Sequence, residues 1–332
     1  SLMSRNRLLE KLAERKKRYN RPTISTWVTG KTMEKAMGIV EAIMGKTKIK
    51  DGMIRDPQFS TWKIGEQGMI ASCLTHDAIE HLTIAIPSAM TTEALDEANV
   101  DWEKGVNKIP FAKQLKNEET FALVHSDIKR KMKEFKEEQL ELTFKQPTID
   151  DKSKMDIHGV KGNTKTDVYG LKYRFYDRSL GVWVTIRPPK QLSRQNLKEV
   201  RGIIQISKLK QALDAMSKVD TLSETFRIHS YTDETYVGTS ENELTGFVTE
   251  LGSDEVASSM SIPVDYKSRG YQNKGGMTGL SLERLKNFVK TLSGEAVIEF
   301  GENRPLRIIG AVKGPEPIYY EYLLANLTEP ER

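Results

Sequence analysis

One plan runs through this chain twice, and no other feature restricts its fold as much. The strand TISTWV (23–28) leads directly toward the helix-patterned KTMEKAMGIVEAIM (31–44), and RGIIQI (201–206) leads directly into SKLKQALDAMSKV (207–219). Lys35-Ala36-Met37 of the first helix stands in register with Gln211-Ala212-Leu213 of the second. Each helix is followed by short alternating strands, then another helix, then more strands. In the first half these are FSTWKIG, MIASCL, EHLTIAIP, the helix HSDIKRKMKEFKEE (125–138) and LELTF. In the second they are TFRIHSY, TYVGTS, LTGFVTEL, the helix SLERLKNFVKTL (281–292), EAVIEF, PLRIIGAV and IYYEYLLAN. Strand–helix–meander–helix–strands, repeated, requires two similar units rather than one irregular one. The fold class that follows is α+β, with helices on one face of antiparallel sheets in each unit.

The helical periodicity separates two faces. The inward positions are Met33, Ala36, Met37, Val40, Ile43 and Met44; Ile128, Met132 and Phe135; Leu209, Ala212, Leu213, Met216 and Val219; and Leu282, Leu285, Val289 and Leu292, with Phe288 at the edge. The opposite faces are basic. They offer Lys31 and Lys35; Lys129, Arg130, Lys131, Lys133 and Lys136; Lys208, Lys210 and Lys218; and Arg284, Lys286 and Lys290. A single such helix is a solvated outer face. Four of them, in a body without excess positive charge, point to a field aimed at phosphate. That body is residues 22–332: residues 1–21 hold eight bases against Glu10 and Glu14, +6 of a net +5, which leaves −1 for the rest.

Pro188-Pro189 ends the first unit, and 188–199 is the best linker. The expected organisation is a basic arm over 1–21, a first domain over 22–187, a connector over 188–199 and a second domain over 200–332. Within it, 91–110 and 252–278 read as loops and 145–168 as a long mobile loop. YGLKYRFYD and VWVTIRP read as a hairpin around Ser179-Leu180-Gly181. Cys73 is the lone cysteine, which excludes an intrachain disulfide or cysteine-based zinc site and favours an intracellular setting. No apolar run reaches the ~18 residues of a membrane span, so no membrane partner is expected.

Enzyme signals are weak. Gly30-Lys31-Thr32 lies between a strand and a helix, but Ser25 stands where a phosphate-binding loop needs its first glycine, leaving no room for a cradle. His76 and His81, with Asp77 and Glu80 between them, read as a surface turn without a third metal ligand. His125, His158 and His229 have no nucleophile that the sequence nominates. No catalytic residue, metal or cofactor is therefore assigned.

Three stretches resemble DNA sliding clamps of the proliferating cell nuclear antigen (PCNA) family. They are Glu66-Gln67-Gly68 through His81-Leu82, SKLKQALDAMSKV with TFRIHSYTDETYVGTS, and Glu299-Phe300-Gly301-Glu302-Asn303-Arg304-Pro305-Leu306 through Asn326. Asn326 stands where that family usually has proline. The resemblance implies a homotrimeric ring lined by helices, encircling double-stranded DNA as a processivity factor without catalysis. Its implied partners are a DNA polymerase, a clamp loader and other DNA enzymes. It implies DNA contact through Lys31, Lys35, Lys129, Arg130, Lys133, Lys208, Lys210, Lys218, Arg284, Lys286 and Lys290. It also implies a hydrophobic peptide pocket at Leu74, Ile79, Pro305, Leu323 and Ala325, with Leu192 and Leu197 of the connector as additions. Two rivals stay open: a monomeric clamp-like processivity factor of viral type that binds DNA by a basic surface, and a nucleic-acid enzyme with an unrecognised site.

Overall fold

The computed structural model describes residues 6–7, 9–10, 24–51, 53–55, 58–89, 119–145, 154–159, 162–166, 170–171, 174–177, 182–185, 199–219, 225–230, 243–266, 271 and 273–327. The first half opens with β1 (Ile24–Thr29), in which Ile24, Thr26 and Val28 alternate inward. The next residue starts α1 (Gly30–Met44), which buries Met33, Ala36, Met37, Ile39 and Val40. A two-stranded ribbon, β2 (Lys48–Lys50) with β3 (Met53–Arg55), precedes the meander β4 (Phe59–Gly65), β5 (Gly68–Leu74) and β6 (Glu80–Pro87). β7 (Glu119–Val124) pairs with β4 and enters α2 (His125–Met132), which tightens into a 3-10 turn at Lys133–Phe135. β8 (Gln139–Lys145) pairs with β1, and β9 (Lys154–Gly159) and β10 (Gly162–Thr166) extend that sheet. β11 (Gly170–Leu171) adds to β7, while β12 (Arg174–Asp177) and β13 (Val182–Thr185) form the expected hairpin.

The second half repeats the order. β14 (Val200–Gln205) runs into α3 (Ile206–Ser217), followed by β15 (Thr225–Ser230), β16 (Glu243–Thr249) and β17 (Val256–Asp265). Then come β18 (Gly276–Ser281), α4 (Leu282–Val289), β19 (Glu295–Phe300), β20 (Leu306–Val312) and β21 (Ile318–Leu324). The repetition holds in detail. β1 pairs with β8 as β14 pairs with β19. Ile86-Pro87 closes β6, and Ile262-Pro263 recurs near the end of β17. Just beyond them, Ala89 N–H donates to the Trp27 carbonyl at 2.8 Å, and Asp265 pairs with Ile203 at the equivalent place.

The halves join where β6 pairs with β21, from Glu80 opposite Leu324 to Ala85 opposite Tyr319. This seam makes one sheet of thirteen strands, β11-β7-β4-β5-β6-β21-β20-β19-β14-β17-β16-β15-β18. α1 packs on both α2 and α4, and α4 packs on α3, so the helices form a row α2–α1–α4–α3. Between row and sheet lies one core, in which Trp62, Ile84, Phe300, Tyr320 and Tyr322 meet Met33, Met37, Leu209, Leu213, Leu285 and Phe288. Phe288 stacks on Tyr322 at 3.9 Å and meets Tyr320 edge-on at 6.0 Å. Burying each such ring contributes about 2–3 kcal/mol. On the opposite face Arg307 bridges Glu299 and Glu321, each at 2.8 Å, and Arg201 reaches Glu299 at 3.1 Å. Charges of alternating sign thus tie β14, β19, β20 and β21 in register.

Several expectations need correction. The stretch 145–168 is not simply a loop, since it holds β9 and β10. Their sequences, KMDIHG and GNTKT, carry little apolar signal, and their order comes from backbone pairing, β9 onto β8 and β10 onto β9. The loop over 252–278 is interrupted by β17, whose serine-rich VASSMSIPVD hides its strand character. α2 is shorter than 125–138. α3 stops at Ser217, so Val219 leaves the apolar face and is 38% exposed. His81 lies on β6, fully buried beside Ser72 at 3.1 Å, so only His76 is on a surface turn. The connector 188–198 with Leu192 and Leu197, the loop 91–110, the strand TYVGTS, and the arm apart from residues 6–7 and 9–10 lie outside the described residues. Among the described residues, no helix is long and apolar enough to cross a membrane.

Candidate nucleic-acid interface and peptide pocket

The helix row presents its cations on the side away from the sheet because each helix spends its apolar stripe on the core. Lys31, Lys35, Arg130, Lys133, Lys208, Lys218 and Lys290 are exposed. Several candidates, Arg130 among them, are engaged with the protein itself. Lys129 pairs with Glu41 at 2.9 Å, and Arg130 with Asp127 at 2.8 Å. Lys210 Nζ donates to the Leu292 carbonyl at 2.5 Å, while Lys286 meets Ser217 at 2.8 Å and Asp214 at 3.5 Å. Arg284 is the most committed: it pairs with Asp77 and, at 3.1 Å, with Glu80. Two carboxylates offset its charge, so it holds the seam rather than projecting as a phosphate ligand. Sequence periodicity finds which side a cation occupies but not whether an acid distant in sequence answers it.

The Gly30-Lys31-Thr32 motif has a full structural explanation. A Cβ at Gly30 would come within 2.2 Å of the Phe135 carbonyl oxygen, so only glycine fits where α1 meets the turn after α2. The N–H groups of Gly30 and Lys31 donate to the Glu138 and Lys136 carbonyls at 3.0 and 2.9 Å. Glu316, from the β20–β21 connection of the other half, accepts from the Thr29 N–H and from Thr32 Oγ1 at 3.1 Å. Protein groups therefore occupy the donors that a phosphate would need. Glu316 is buried, and its carboxylate also suits the positive end of the helix dipole.

The pocket residues converge at one end of the seam. Leu74 pairs with His81, and His81 with Leu323, across β5, β6 and β21. Ala325 N–H donates to the Ile79 carbonyl at 2.8 Å, and Pro305 immediately precedes Leu306, which pairs with Leu324. Leu74, Ile79, Pro305 and Ala325 are half-buried, whereas Leu323 is fully buried and belongs to the floor. The Thr75–Ile79 turn is braced from within: Thr75 Oγ1 donates to Asp77 at 2.7 Å, and Ala78 takes φ 58°. Asp77 in turn holds Arg284, so this turn connects the pocket rim to the helix row. Burial pushes the Glu80 carboxyl above its ordinary range, although Tyr322 donates to it at 2.6 Å and Arg284 lies beside it. Cys73, beneath the rim, has its thiol pushed by burial up to about 12 and is inert as a nucleophile. Among the described residues, no cluster of His, Cys, Asp and Glu is arranged to hold a metal ion.

No protein-family model matches the sequence, and no curated protein matches it. Solved structures match over nearly the whole chain. PCNA from Entamoeba histolytica aligns with a TM-score of 0.59 at 11% identity, covering 92% of this chain and 98% of that one. A structure of the C-terminal region of FEN-1 bound to A. fulgidus PCNA aligns at 0.54 with 16% identity, covering 93% and 100%. The PCNA2–PCNA3 complex from Sulfolobus tokodaii aligns at 0.54 with 14% identity, covering 91% and 99%. The likeness is one of fold: the chain has the two-domain α+β architecture of the PCNA clamp.

Proposed function

We propose that the chain is a DNA sliding clamp and processivity factor. Copies join into a ring whose helix row faces duplex DNA, and the seam pocket tethers a polymerase and other DNA enzymes by short peptides. The observation that carries this reading is the unbroken row of four helices with exposed lysines, set on a sheet whose β6–β21 seam can be repeated between molecules. In the second half β17 is the counterpart of β6, and in the first half β10 is the counterpart of β21. Pairing β17 of one copy with β10 of the next repeats the seam, and two domains per chain would bring six domains together in a homotrimer.

The mechanism needs no catalytic group in the chain. Exposed lysines contact phosphates weakly and without reading sequence, which permits sliding, while closure of the ring prevents escape. A peptide that fills the rim formed by Leu74, Ile79, Pro305 and Ala325 would bind by burying a few apolar anchors. The domain limits 22–187 and 200–332, joined by 188–199, belong to the same proposal. A complex of A. fulgidus PCNA with the C-terminal region of FEN-1 supports the tethering role by analogy of fold.

The test is joint reversal of the exposed helix lysines, Lys208→Glu, Lys218→Glu and Lys290→Glu. Duplex affinity and polymerase processivity should fall with the melting temperature unchanged; unaltered affinity rejects the reading. The +6 carried by residues 1–21 favours a second reading, a monomer that holds DNA by a basic surface. A single-chain mass in solution with strongly salt-dependent binding selects it.

A further inference from the structure

Among the described residues, the β2–β3 ribbon has no counterpart in the second half. α3 reaches β15 through residues 218–224, whereas α1 reaches β4 through residues 45–58. The fold therefore closes without the ribbon. Its sequence, GKTKIKDGMIRDPQ, places lysine at 46, 48 and 50, and all three are exposed. The two-residue period of a strand puts Lys48 and Lys50 on one side, and the register sets Arg55 directly across from Lys48. Asp51 does not lie within either strand; it takes the turn at φ 55°.

The ribbon's position is fixed at its root. Thr47 N–H donates to Ser126 Oγ at 3.0 Å, and Gln58 N–H to Thr47 Oγ1 at 2.7 Å. Ser126 donates to Glu41 at 2.6 Å, and Glu41 also holds Lys129. Burial pushes the Glu41 carboxyl up, but Ser126, Lys129 and the nearby Lys46 outweigh it and hold the group below its ordinary value. The root of the ribbon is thus tied to the N-terminal end of α2, through Ser126 and Glu41 to Lys129. Strands of this length add about 10 Å of reach.

We propose that the ribbon is an additional duplex-DNA contact, in which Lys46, Lys48 and Lys50 meet phosphates beyond the stretch covered by the helix row. This rests on the reading of that row as the DNA-facing surface. The competing role for such lysines is to keep an unpaired ribbon edge from associating with other strands.

Binding of the full chain to a 30-base-pair duplex of arbitrary sequence, measured across a salt series, separates the two. The variant K46Q/K48Q/K50Q should lower the slope of log affinity against log salt by about two to three, near 0.9 for each lost phosphate contact. Its melting temperature should not move. The helix-row variant K208E/K218E/K290E is measured beside it. A normal slope for the ribbon variant with a reduced one for the helix variant overturns the ribbon contact and leaves the helix-row reading standing. Normal slopes in both overturn both. A reduced slope in the ribbon variant alone rejects the row, and with it the ribbon as an extension of that row. Should the triple variant fold poorly, Lys48→Gln alone should lower the slope by about 0.9, and no change overturns the proposal.

Discussion

His125 begins α2 with no exposed surface, and both of its ring nitrogens have partners. Trp62 Nε1–H donates to Ser60 Oγ at 2.8 Å, the Ser60 hydroxyl lies 3.3 Å from His125 Nδ1, and His125 Nε2 lies 2.7 Å from the Gly45 carbonyl. One arrangement satisfies all three: the ring is neutral, with its proton on Nε2. Burial accordingly pushes the His125 pKa below the ordinary 6.5. The unfolded chain takes up a proton near 6.5 and the folded chain only at lower pH. This contribution to stability is therefore complete above 6.5 and declines as pH falls below it, by at most ~1.4 kcal/mol per pH unit. Urea unfolding at pH 7.5 and 5.5 should show a smaller loss in His125→Gln than in the wild type. Equal losses would mean that this ring does not titrate differently on folding.

At the scale of elements, the N-terminus of α1 depends on the opposite half of the chain. Thr29 makes no side-chain cap, and Glu316 supplies the acceptor from the β20–β21 connection. Glu316→Ala should cost about 1–2 kcal/mol, as losing a helix cap does, with urea unfolding as the measure. Replacing an ordinary exposed glutamate would leave the midpoint nearly unchanged. Elements of this kind divide into those legible in the sequence and those that are not. α1, α3, α4 and the strands β19–β21 carry strong apolar periods, because a packed face needs one, and they fall close to where the periods put them. β9, β10 and β17 are set by backbone pairing onto β8, β9 and β16, and their own sequences carry too few apolar residues to announce it. The residues proposed for peptide docking come from the family resemblance alone. Nothing local to Asp77 or Glu316 announces that each meets a group more than two hundred positions away.

For the whole molecule, the internal repeat turns assembly into a question about two strand edges. Within the chain, Glu80 of β6 is buried by its pairing with β21 and by Tyr322. Val256 holds the matching place at the start of β17, yet it is 57% exposed, and Leu251 in the preceding turn is 76% exposed. Large apolar side chains left uncovered where the first half has a covered seam are what an unfilled interface presents. If β10 of another copy covers β17 as β21 covers β6, both residues become buried on assembly. Leu251→Asp with Val256→Lys would then place two charges in that seam, at a cost far above that of the same charges in water. Sedimentation should show the wild type at three times the chain mass and the double variant at one. Circular dichroism and the melting of the isolated chain should be preserved, because neither residue is needed for the core. A variant that retains the wild-type mass would place the join elsewhere than β17. If the proposed ring encircles DNA, its loss should also abolish retention on circular DNA while sparing much of the affinity for short linear duplexes, since the helix-row lysines remain and only topological closure is gone.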